Sequence, residues 1–249
     1  MPHMTRGTPL AFPATETAVS RFRELMFIAF ASGAIAGFAL FVVQHFTVLP
    51  LIETAETYEA AQHANSGTTH DEEGWQPAGG WERTSYTAIT TILSGIGFAA
   101  ILFGSLSLAG TQVNARRGAL WGLAAFACFG LAPAIGLPPQ PPGTTVASVP
   151  ERQLWWIGTA VATAAGLWLL AGEKRSWPIR LAGVVCLLLP HLIGAPNAAG
   201  QNAVPAQLVR RFTIASLATT CVFWLLVGTI GGFLWSRAYE PNEGLRTQT

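Results

Sequence analysis

Long apolar blocks constrain this chain more than any other feature. Six stretches, near residues 25–49, 86–109, 118–137, 153–172, 178–194 and 212–235, consist almost wholly of apolar and small residues. An α-helix needs about 20 such residues to cross the hydrocarbon core of a bilayer. The apolar residues fill each block instead of recurring every three or four positions, so the helices have no polar face to turn toward water. In lipid, every backbone N–H and C=O must be bonded within the segment, which makes each block a helix. Composition agrees. Charged residues are 11% of the chain, against about 25% in a soluble domain. The sequence reads as an all-α, polytopic membrane helix bundle of six spans. The fifth block is the shortest, and a five-span arrangement in which it does not cross fully stays open.

Lysine and arginine set the orientation, because cytoplasmic loops carry the excess. With the N-terminus cytoplasmic, the inside receives Arg6, Arg21, Arg23, Arg116, Arg117, Lys174, Arg175, Arg180, Arg237 and Arg246. The outside receives Arg83, Arg152, Arg210 and Arg211. Trp121, Trp177 and Trp235 then fall at the inner interface and Trp155 and Trp156 at the outer one, as an aromatic belt requires. The expected organisation is a cytoplasmic tail over 1–24, a bundle over 25–235 with an acidic outer loop at 50–85, and a tail over 236–249. The first block is too long for a signal-peptide core of about 7–15 residues and is expected to persist as a helix.

Other classes lose support. Net charge is +1, so no basic field suggests nucleic acid. Cys128, Cys186 and Cys221 lie singly within apolar blocks and read as small buried hydrophobes. No GxxxxGK[ST], HExxH, GxSxG or CxxCH motif is present, so nothing supports an enzyme or a tightly bound cofactor.

Chemistry concentrates in the outer loops. If the first span continues as helix past Pro50, His45, Glu53, Glu56, Glu59 and His63 share one wedge of its surface at about 100° per residue. Imidazole and carboxylate suit Co²⁺, Ni²⁺ and Zn²⁺, and a cation would relieve the mutual repulsion of the carboxylates. The alternative is an ordinary solvated acidic helix end, and Pro50 threatens the alignment. "HDEEGW" at 70–75 is a second acidic cluster, either a cation-capture site or a solvated loop. "LAPAIGLPP" (131–139) and "LLPHLIGAP" (188–196) echo one another, and each leads through a Val-Pro into the next span. Broken helices at matching positions point to a site in transporters, though Pro and Gly also simply end helices. His191 lies between Pro190 and Pro196, where freed carbonyls are tolerated only in protein or beside a wet cavity. It is expected to face an internal aqueous or metal path; the alternative is a structural histidine bonded to a neighbouring helix.

Taken in order, "RFRELMF", "VQHFTVLPLIETAETYE", "WQPAGGWERT", "RRGALWGLAAF", "LAPAIGLPPQPPG", "RQLWW" and "LLPHLIGAP…AVPAQLVRRF" resemble the CbtA family of predicted cobalt transporter subunits, from about Arg21 to Trp235. The resemblance implies a bacterial inner-membrane, multi-pass protein. It also implies cobalt uptake linked to cobalamin synthesis, with a small single-span CbtB-type partner. The positions it carries over are Gln44, Glu53, Glu56, Tyr58, Glu59, Trp75, Pro77, Arg83, Pro133, Pro138, Pro190, His191 and Pro196. His45 and Gln76 depart from the family pattern, so His45 ranks below His191 as a ligand. The expected function is a divalent-cobalt permease subunit, with Co²⁺ as cargo and Ni²⁺ or Zn²⁺ sharing its ligand chemistry. The rival is a non-transporting membrane scaffold or metal-sensing subunit. Metal ligands are expected among His191, Glu56, Glu59, Glu53, His45 and His63, with carbonyls at Pro133–Pro138 and Pro190–Pro196 lining the path inward.

Overall fold

The computed structural model describes residues 14–66, 77–110, 113–172, 175–198 and 202–239 of the 249-residue chain. All regular structure among them is helical: α1 (Ala14–Thr47), α2 (Leu49–Ser66), α3 (Trp81–Leu108), α4 (Ala115–Phe126), a π-turn (Ala127–Leu131), α5 (Ala132–Gly136), α6 (Val149–Ala171), α7 (Trp177–Ile193) and α8 (Ala206–Tyr239). Five helical segments are long and apolar enough to cross a membrane, the π-turn and α5 completing the one that α4 begins. These lie on five of the six apolar blocks, and the protein is a polytopic helical membrane protein. The fifth block is α7. Its 17 residues extend about 25 Å, short of the roughly 30 Å hydrocarbon core.

Helices in lipid gain little from apolar burial against each other, so close backbone packing holds them together. Glycines set both main contacts. Gly33 and Gly37 of α1 press against Gly95 and Ile92 of α3, where an added Cβ at Gly33 would meet the Ile96 Cα at 2.5 Å. Gly118 and Gly122 of α4 interlock with Gly228 and Gly232 of α8, with the Gly118 and Gly228 backbones in direct contact. The small-residue stretches 32–37 and 94–110 thus serve close contact, as their composition suggests. Phe103, Leu106, Trp224 and Val227 fill the space between α1, α3 and α8.

Helix ends follow local signals. The Ser148 N–H and Oγ both donate to the Glu151 carboxylate at the start of α6, with Pro150 in its first turn. Asn114 Oδ1 accepts from Arg117 N–H at the start of α4. Gly194 ends α7 at φ 91°, a conformation that suits glycine, and its N–H donates to the Pro190 carbonyl.

The echoed loops meet at one end of the bundle. Ala203 N–H donates to the Gly143 carbonyl at 3.3 Å, and Thr145 N–H donates to Asn202 Oδ1 at 2.9 Å. Helix α2 lies over the same end. Ala55 is fully buried, and Gly143 packs against the Glu59 backbone and Cβ. The α6–α7 pair joins the rest through the π-turn and α5, while α7 packs chiefly against α6.

Candidate functional site

The acidic face lies on a helix segment separate from the first span. Pro50 has no N–H, and its ring would collide with the carbonyl of Phe46, so α1 ends at Thr47 and α2 restarts from the Val48 carbonyl. The helix is interrupted for one residue between His45 and the carboxylates Glu53, Glu56 and Glu59. His45 lies beside Phe41 and Phe46, ring centroids 6.0 and 5.2 Å away. The side chain of His63 and the whole of "HDEEGW" fall outside the described residues.

On α2, Glu53 is exposed while Glu56 and Glu59 are half-buried. Glu56 accepts a two-pronged bond from Arg83 at the start of α3: Nη2 to Oε1 at 2.5 Å and Nη1 to Oε2 at 3.2 Å. Glu53 lies within electrostatic reach of the same guanidinium. An arginine fork matches a carboxylate geometrically as well as electrostatically, so Arg83 holds the position expected for a cation. Among the described residues, no three His, Cys, Asp or Glu gather closely enough to hold a metal. Glu56, Glu59 and His191 therefore do not form one preassembled cage.

The first proline break is chemically closed. Pro133 has no N–H for the Phe129 carbonyl, and Trp156 Nε1 donates to that oxygen at 3.1 Å. Trp155 Nε1 donates to the Pro133 carbonyl at 3.2 Å, and Leu137 N–H donates there too. The Pro133 carbonyl, the first of those expected to line a path at this break, is thus engaged. Trp155, expected in the interfacial belt, is withdrawn into the protein because its indole N–H bonds this carbonyl.

The second break differs. Helix α7 stays helical through Pro190 to Ile193. Pro190 cannot donate to the Cys186 carbonyl, which loses its helical partner. His191 Nδ1 is buried with no hydrogen-bond partner. Its ring meets Trp155 edge-on, with centroids 6.0 Å apart.

Sequence reasoning missed two buried residues on the adjoining helix α6. Ser32, Thr159, Thr163 and Thr219 are the buried polar side chains among the described residues. Ser32 and Thr219 donate to carbonyls of their own helices, at 2.6 and 2.9 Å. Thr159 and Thr163 donate to nothing. A buried hydroxyl without a partner costs about 1–3 kcal/mol, so two on one helix ask for an explanation. Their signal in the sequence is the four-residue spacing Trp155, Thr159, Thr163, which marks one helix face.

Fold and sites together define a multi-pass α-helical membrane protein whose polar chemistry lies at one end of the bundle and along one helix pair. Residues 22–236 match the model of the CbtA family, described as "Probable cobalt transporter subunit (CbtA)", and the chain belongs to that family. No significant match exists among curated proteins or solved structures.

Proposed function

We propose that this chain is the permease subunit through which Co²⁺ enters a bacterial cell across the inner membrane, working with a small single-span CbtB-type partner. The observation that carries this reading is His191. It is a metal-capable imidazole whose buried Nδ1 has no protein partner, on the helix where Pro190 denies the Cys186 carbonyl its helical N–H partner. A buried ionisable group within a membrane bundle is a functional candidate by default.

The acidic helix α2 gathers hydrated cations at the outer end. Arg83 keeps Glu56 paired until a divalent ion competes for the carboxylate. The ion then exchanges ligands from Glu56 and Glu59 toward His191, with Glu53 adding to the field; His45 and His63 contribute at most to capture. The Arg83–Glu56 pair thus makes entry conditional on cation charge. Partner docking suits an apolar groove of 410 Å³ between α3, α4 and α6, which includes Leu120, Trp121, Leu167 and Trp168 in its walls. That groove opens because the α6–α7 pair touches the bundle mainly through the π-turn and α5. The family description supports a subunit with a partner, and a single apolar helix fills such a groove without polar cost.

The test is uptake of radiolabelled Co²⁺ by cells lacking their own importer, with and without the partner, beside the triple variant His191→Ala/Glu56→Ala/Glu59→Ala. Uptake that falls to background in the well-expressed variant supports transport and site together. Unchanged uptake removes the site. No uptake from the wild-type pair in the membrane moves the assignment to a scaffold or sensor.

A further inference from the structure

The stripe of α6 carrying Trp155, Thr159, Thr163 and Gly166 faces α7. Trp155 meets the His191 ring, and Gly166 meets Gly183 and Leu187. Thr159 and Thr163 lie between those two contacts on the same stripe, since positions 155, 159, 163 and 166 span about 80° at 100° per residue. The opposite stripe, with Ala164, Leu167, Trp168 and Ala171, faces the groove instead. On α7, the residues shielded from the surroundings are Gly183, Cys186, Leu187, Pro190 and His191, recurring every three or four positions and so facing α6. Four polar side chains sit on these two stripes: two buried hydroxyls, a partly buried thiol and a partly buried imidazole. At the loop end the seam is closed by Trp155, pinned by its bond to the Pro133 carbonyl. At the other end it is closed by backbone contact, where a Cβ on Gly166 would lie 2.8 Å from the Gly183 carbonyl.

We propose that this α6–α7 seam is an occluded binding site for a partly hydrated divalent cation, built from His191 Nδ1, Thr159 Oγ1, Thr163 Oγ1 and the Cys186 thiol, with Trp155 as its outer closure. This rests on the permease reading and adds to it a second station beyond the acidic end. The unpartnered hydroxyls, 1% and 4% exposed, point to a ligand, since buried polar groups otherwise find protein or water. None of the four side chains is a carboxylate, and a cysteine that ligates a metal does so as the thiolate, releasing its proton on binding. Imidazole and sulfur suit borderline metals such as Co²⁺, while the hydroxyls hydrogen-bond the water that the ion retains. A site with no carboxylate holds the ion loosely enough to release it, as conduction requires. Opening needs only movement of α7, because its main interface is with α6 itself.

The test uses the full chain in lipid nanodiscs with Cys128→Ser and Cys221→Ser, so that Cys186 is its thiol. A small cationic methanethiosulfonate reagent reports whether Cys186 meets water. Slow labelling is expected, faster in Trp155→Ala. Co²⁺ at ten times its Kd slows labelling about tenfold, and Mg²⁺ does not. Thr159→Val/Thr163→Val, which keeps the shape and removes both hydroxyls, is expected to abolish that protection. The seam proposal is overturned if Cys186 resists labelling even in Trp155→Ala while Thr54→Cys in a cysteine-free background reacts. Labelling that Co²⁺ leaves unchanged, or protection that survives loss of both hydroxyls, also overturns it. Uptake assays separate the two ideas. Protection without cellular uptake supports the seam and sinks the permease reading; uptake without protection does the reverse.

Discussion

Replacing Gly118 by alanine tests the packing on which the bundle rests. A Cβ there runs into the Gly228 carbonyl oxygen and lies 3.0 Å from the Gly232 Cα. Both obstacles are backbone, so no side-chain rotation relieves them, and α4 must move away from α8 by about 1 Å to restore normal contact, an overpacking at the upper end of the usual range, about 2–3 kcal/mol. Alanine returns about 0.8–1.0 kcal/mol through helix propensity, which leaves a net loss of about 1–2 kcal/mol. For a chain of this size, 1 kcal/mol moves Tm by about 2–4 °C, so Tm in detergent micelles should fall by roughly 2–8 °C. The control is Gly158→Ala on α6, where a Cβ meets nothing within 4 Å; its Tm should hold or rise. The double variant Gly118→Ala/Gly228→Ala should lose less than the sum, because one separation relieves both clashes. A Gly118→Ala protein as stable as wild type, with Gly158→Ala the weaker of the two, would refute the reasoning.

Three further outcomes are expected. Trp156→Phe keeps an aromatic ring near Phe129 but deletes the donor to its carbonyl at 3.1 Å, so stability should drop by about 1 kcal/mol, read as a lower Tm; an unchanged Tm counts against the capping role. The Glu56–Arg83 pair is 38–39% exposed, so a double-mutant cycle through Glu56→Gln and Arg83→Gln should give a coupling below about 1 kcal/mol, shrinking further at high salt. Coupling well above that would mean a buried, structural pair. Pro190→Ala returns an N–H to the Cys186 carbonyl, so thermal stability should hold or rise while Co²⁺ uptake falls; uptake at or above the wild-type rate would show that the open break is not used.

Individual residues of the candidate site stand out in the sequence, Arg83, Glu56 and His191 among them. That Arg83 reaches back 27 positions in sequence to clamp Glu56 was not visible, because nothing local links the two. Pro50 was a recognised threat to the acidic wedge, and the helix does restart there. Trp155 and Trp156 read as a membrane belt because hydropathy places them at an interface, while their bonds to carbonyls at the Pro133 break depend on how α6 meets α5. Thr159 and Thr163 resembled any threonine in an apolar helix. Only the absence of the usual bond to their own backbone, together with the α7 contacts on either side, sets them apart.

The sequence by itself determined that the chain is a membrane helix bundle, where its helices run and where several of them begin and end. Those outcomes follow from local physics: an apolar segment in lipid must satisfy its own backbone, and Ser148, Asn114, Pro190 and Gly194 act on their own turns. Tertiary structure alone decided which glycine faces interlock, which carbonyls are capped, that Arg83 occupies the acidic end, and that two threonines of α6 are buried without a partner. Those are contacts between helices distant in sequence, and they are set by which small-residue surfaces allow two backbones to approach.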